Sequence, residues 1–66
     1  MGKQEVSKRL SEEERRAVFL ALVAAQDMGA SVVRSRKEVA EQFGLTDRQI
    51  RQIEEEGLDG GWPPLG

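Results

Sequence analysis

The chain has 66 residues, with 10 Lys and Arg against 12 Asp and Glu, for a formal net charge of −2. That length supports one small domain, which buries only about 60% of the surface its unfolded chain exposes. With no cysteine and no histidine, there is no disulfide staple, no thiolate for zinc and no imidazole base or ligand. Helix packing and capping must carry the fold.

Residues 1–10 read as an N-terminal arm, either a frayed helix from Lys3 to Leu10 or a mobile segment. Met1-Gly2-Lys3-Gln4-Glu5 leads into charge and lacks the apolar centre of a signal peptide. Ser7 stands one place late for the usual myristoylation pattern at Gly2. No stretch approaches the roughly 20 apolar residues that span a bilayer. A cytoplasmic protein without a membrane partner is expected.

The domain proper is expected over 11–58. Ser11-Glu12-Glu13-Glu14, Ser35-Arg36-Lys37-Glu38 and Thr46-Asp47-Arg48-Gln49 each match a capping box. In that device the hydroxyl accepts from the amide three residues on, and the Glu or Gln there accepts from the cap's own N–H. Three such boxes, each opening an amphipathic run, predict three helices and an all-α fold.

The first helix is expected over 12–28. Its apolar residues, from Ala17 through Ala25 and at Met28, cover more than one face. Either both flanks are covered within the domain or part of the helix docks elsewhere. Gly29 then stops it. In the connector 30–34, Val32 and Val33 either pin a loop onto the core or form a short extended stretch. The second helix is expected over 36–43, with Val39, Ala40 and Phe43 inward and Gly44 as its end. The third is expected over 47–56, with Ile50 and Ile53 inward and Gly57 as its stop. The tail, 59–66, is expected to run extended through Pro63 and Pro64.

From Arg36 to Ile53 the pattern fits a helix-turn-helix. A small residue, Ala40, stands where two short helices cross, and Gly44 takes the positive φ of the turn. Leu45 plugs that turn, while Val39, Phe43, Ile50 and Ile53 close the shared core. With Ile50 and Ile53 inward, about 100° per residue places Arg48, Arg51, Gln52 and Glu55 on the opposite face, with Thr46 and Asp47 at the tip. Arg pairs with guanine, Gln with adenine, and a carboxylate accepts from cytosine. Arg34, Arg36 and Lys37 at the start of the second helix suit phosphate contacts. The same residues also suit a plain solvated surface, with Arg36 and Lys37 offsetting Glu41 or Glu38.

Charge is uneven along the chain. Residues 1–33 balance to zero, residues 34–52 carry +2, and residues 53–66 carry −4. A mildly basic centre steers a polyanion, and an acidic end opposes it.

Glu38-Val39-Ala40-Glu41-Gln42-Phe43-Gly44-Leu45-Thr46-Asp47-Arg48-Gln49-Ile50-Arg51-Gln52-Ile53-Glu54 closely resembles the C-terminal helix-turn-helix region of bacterial sigma factors, especially the housekeeping class. Ile50-Arg51-Gln52-Ile53-Glu54 is its most specific part. The resemblance implies recognition of the upstream promoter element, with another face docking on the flap of RNA polymerase. Arg51 and Gln52 match positions that face promoter DNA in that family. Asp47-Arg48-Gln49 stands where the family usually has Arg-Glu-Arg, which implies a different DNA sequence. Glu55-Glu56-Gly57 replaces a basic helical continuation, which implies weaker hold on the DNA backbone. The regions that bind the polymerase's main cleft and melt promoters are absent, so a complete sigma factor is not expected.

Trp62, beside Leu65 and two prolines, reads in two ways. The tail folds back and Trp62 caps a thin core, or Trp62 and Leu65 form an exposed anchor for a partner protein. The run Glu54-Glu55-Glu56 reads as a solvated helix end, not a metal or catalytic cluster. Without a nucleophile beside a base or a Gly-rich phosphate loop, neither an enzyme nor a cofactor is expected. Two functions remain. One is a sequence-specific regulator binding double-stranded DNA, with a homodimer as a way to gain contacts. The other is a protein-interaction module on the same frame, with RNA polymerase or another regulator as partner.

Overall fold

The computed structural model describes residues 9–65, so most of the N-terminal arm expected over 1–10 lies outside the described residues. Helices α1 (Glu12–Asp27), α2 (Val32–Phe43) and α3 (Asp47–Gly60) pack pairwise on one another, with no strand among the described residues. No helix among them is long and apolar enough to cross a membrane.

Two of the three expected capping boxes form. At α1 the Glu14 amide donates to Ser11 Oγ at 3.1 Å and the Ser11 amide to Glu14 Oε1 at 2.9 Å. Glu12, Glu13 and Glu14 meet the positive end of the helix dipole there. The helix stops as expected at Gly29, φ 105°, where the Ala30 amide reaches back to the Ala25 carbonyl at 3.1 Å.

Ser35 is not a cap. Helix α2 begins earlier, because Ser31 takes the extended backbone of a cap and accepts the Arg34 amide at 3.1 Å. Ser35 is instead fully buried inside the helix. Its hydroxyl donates to the Val32 carbonyl at 2.8 Å and accepts from Gln26 Nε2 at 3.1 Å, fastening α2 to α1. A buried hydroxyl with both roles filled carries no desolvation debt. Val32 and Val33 therefore lie on the first turn of α2, exposed to 44% and 73%, and do not pin a loop. At the other end Gly44 adopts φ 70° and the Leu45 amide closes on the Ala40 carbonyl at 2.9 Å.

Helix α3 also overruns its expected stop. Gly57 lies within the helix, buried against the ring of Phe19, and the left-handed stop falls at Gly61, φ 61°. Absence of a side chain at Gly57 lets α3 approach α1 closely. The tail then folds back. Trp62 donates its amide to the Gly57 carbonyl at 3.0 Å and sets its ring edge-on to Phe19, centroids 6.1 Å apart at 89°. Arg16 covers the indole at 4.9 Å from its centroid. Beyond Trp62 the chain is not extended, because the Leu65 amide returns to the Trp62 carbonyl at 2.8 Å and closes a turn over Pro63 and Pro64.

The core comprises Val18, Phe19 and Leu22 from α1, Val39 from α2, Ile50 and Ile53 from α3, Leu45 between them, and Trp62. Ala40 and Phe43 pack against it half-buried. Thus α1 spends only one flank of its broad apolar stripe. Ala17, Leu20, Ala24 and Met28 stay exposed on the other.

Candidate nucleic-acid interface

The turn between α2 and α3 sets the direction of α3. Leu45 is buried at 8% exposure beneath it, and Thr46 caps α3 with a complete box. The Gln49 amide donates to Thr46 Oγ1 at 3.1 Å, and the Thr46 amide to Gln49 Oε1 at 3.0 Å. Ile50 and Ile53 are then driven fully inward. Helical phase turns Arg48, Arg51, Gln52 and Glu55 outward, and all four are exposed, as are Thr46 and Asp47 at the tip. Neither the folded-back tail nor α1 covers Arg48, Arg51 or Gln52. Trp62 lies instead against Phe19 and Arg16 of α1.

An open groove runs between the outer side of α3 and the start of α2, lined by Arg36, Arg48, Arg51, Gln52 and Glu55. Val32 and Leu58 are the apolar residues of its lining. Within it the charges are largely paired. Arg51 Nε meets Asp47 Oδ2 at 2.8 Å, one helical turn back, with both side chains more than half exposed. Arg36 Nη2 meets Glu54 Oε1 at 2.8 Å, and Arg36 Nε donates to the same oxygen at 2.9 Å. That second pair is sheltered, at 25% and 16% exposure, and ties α2 to α3. Arg48 has no ion-pair partner among the described residues.

Arg36 and Lys37, expected to act together, are separated. Arg36 faces the groove, whereas Lys37 is exposed on another side of α2, beside Ser31, Val33 and Glu41. Arg34 is engaged by Glu38 at 3.0 Å. Trp62, at 7% exposure, is part of the core, and Leu65 is 52% exposed.

Glu54 is the residue that sequence reasoning missed. By sequence it belongs with Glu55 and Glu56 to a solvated helix end, and the acids within helical reach of Arg36 and Lys37 are Glu38 and Glu41. Its one signal is phase, since Glu54 follows Ile53 on the half-buried side of α3. Glu56 is likewise engaged, by Arg15 of α1 at 3.0 Å. No protein-family model, curated protein or solved structure matches the chain.

Proposed function

We propose that the chain is a sequence-specific DNA-binding regulator in which α2, the turn and α3 act as a helix-turn-helix. Helix α3 enters the major groove with its N-terminal half foremost. The observation that carries this reading is the uncovered outer face of α3, where Arg48, Arg51 and Gln52 stand together opposite buried Ile50 and Ile53. The resemblance of residues 38–54 to the promoter-reading region of sigma factors supports the same assignment. Arg51 and Gln52 read bases, while Arg48 supplies charge.

Titration of the full chain against pooled random duplexes at low salt tests it. Binding is expected, with a log–log salt slope of roughly −3 to −4 if three to five phosphates are neutralised per domain. Arg48→Ala and Arg51→Ala both weaken it. Background binding down to low salt overturns the proposal.

A second reading rests on a different observation. The exposed stripe of Ala17, Leu20, Ala24 and Met28 on α1 favours a protein-interaction module, and the same resemblance names RNA polymerase as a partner. On that reading Leu20→Glu abolishes association with polymerase and leaves duplex binding unchanged.

A further inference from the structure

We infer that Asp47 is a positioning residue that aims Arg51 at a guanine, so that this one pair sets the base preference of the α3 face. The inference rests on the DNA-binding reading and goes beyond it by naming the base and the residue that fixes it.

Asp47 is the first residue of α3, directly after the cap Thr46. Its backbone is therefore held by the capping box, which places its carboxylate at the tip of the helix, one turn before Arg51. Arg51 Nε lies 2.8 Å from Asp47 Oδ2. A guanidinium is a planar fork with fixed donor directions. The ion pair draws the Arg51 head toward the N-terminal tip of α3 and leaves the far edge of the guanidinium, with one N–H on each terminal nitrogen, open to a partner. Two parallel N–H donors on one edge are what guanine O6 and N7 accept.

The pair is loose in water, where both groups are more than half exposed. A DNA groove displaces that water and strengthens the contact when Arg51 meets its base. Arg48 makes the contrast. It has the same charge on the same face but no anchoring carboxylate among the described residues, so it contributes attraction without direction.

Asp47 acts with two opposite signs, which separates its role from a structural one. Its negative charge repels phosphate, so its removal raises affinity for any duplex. Its grip on Arg51 sharpens base choice, so its removal lowers discrimination.

The test starts from duplexes selected by the full chain from a randomised pool at low salt. Each guanine is then replaced in turn by 7-deazaguanine, which lacks the N7 acceptor. One replacement is expected to weaken wild-type binding by roughly fivefold to a hundredfold and to leave binding by Arg51→Ala unchanged. Asp47→Ala is expected to shrink that penalty at least several-fold while raising affinity for random duplexes. Asp47→Asn, neutral but still an acceptor, recovers part of the discrimination and covers the case in which the alanine variant loses helix.

Two results overturn the inference. If both Asp47 variants, folded by circular dichroism, keep the full penalty at the Arg51-dependent guanine, Asp47 does not aim Arg51 and the DNA-binding reading survives. If the wild type binds no duplex in the pool, that reading fails and the inference falls with it.

Discussion

Gly57→Ala sets two well-measured effects against each other at one position. Gly57 is inside α3, so alanine there gains about 1 kcal/mol of helix propensity. A Cβ at that position, however, lands inside 3.0 Å of three ring carbons of Phe19. The ring has little room to yield. Phe19 is 1% exposed and already meets Trp62 edge-on. Forcing extra volume into such a contact costs about 1–3 kcal/mol, toward the upper end where the overlap is with a rigid ring. The net expectation is a loss of about 1–2 kcal/mol. A 66-residue chain has roughly 3–10 kcal/mol of total stability, so this is a large fraction. It corresponds to a fall in Tm of roughly 5–15 °C for a domain of this size. Thermal and urea unfolding followed by circular dichroism measure it. Phe19→Leu removes the obstructing ring, so in that background Gly57→Ala becomes neutral or stabilising. The double-mutant cycle should give a coupling of at least about 1 kcal/mol. A rise in Tm for Gly57→Ala alone, or a coupling near zero, refutes the close approach of α3 to α1.

Thr46→Ala removes the hydroxyl of a complete capping box and should cost about 1 kcal/mol in urea unfolding. Trp62→Ala should cost about 3–5 kcal/mol, enough to leave much of the chain unfolded at 37 °C, because it strips the cover from Phe19. As the single tryptophan, Trp62 should emit blue-shifted in the native state and shift red in the same transition that circular dichroism reports. An early, separate fluorescence change refutes its place in the core. In the DNA-binding reading, Arg48→Ala should weaken binding to all duplexes alike and reduce the magnitude of the log–log salt slope by about 1. A change of base preference in that variant instead assigns Arg48 a direct reading role.

Local chemistry was legible wherever a residue's job is settled by its neighbours in sequence. Ser11 and Thr46 cap because the Glu or Gln three places on completes each box, and Ile50 and Ile53 fix the phase of α3 and hence its outer face. The readings that failed depend on residues far along the chain. Ser35 has the better local box, yet Ser31 caps, because the Ser35 hydroxyl has a buried partner in Gln26 on another helix. Gly57 looks like a helix end, but its partner is Phe19 across the core, and a glycine kept for contact is indistinguishable by type from one kept for a turn. Arg36 finds Glu54 across the helix pair, beyond the reach of any spacing rule for one helix. Trp62 was readable only as a pair of alternatives, since a lone aromatic beside prolines suits a covered core and an exposed anchor alike.

Pairing changes what the net charge of −2 means for the DNA-binding reading. By sequence alone, the acidic end of the chain opposes a polyanion. Two of its four acids are instead tethers: Glu54 holds Arg36 on α2, and Glu56 holds Arg15 on α1. The first pair joins α3 to α2 and is sheltered, while the second joins α3 to α1 and is more exposed. The carboxylates left on that face are Asp47 and Glu55, four residues before and four after Arg51. The face is therefore an alternating stripe of charge and not a basic patch. If the chain binds DNA, with screening over about 8–10 Å in physiological salt, such a stripe would attract the phosphate backbone weakly and leave affinity to depend on base contacts. In the DNA-binding reading, neutralising Glu55 with Glu55→Gln raises affinity for every duplex about equally. A loss of affinity confined to sequences with cytosine at one position would instead show that Glu55 accepts from that base.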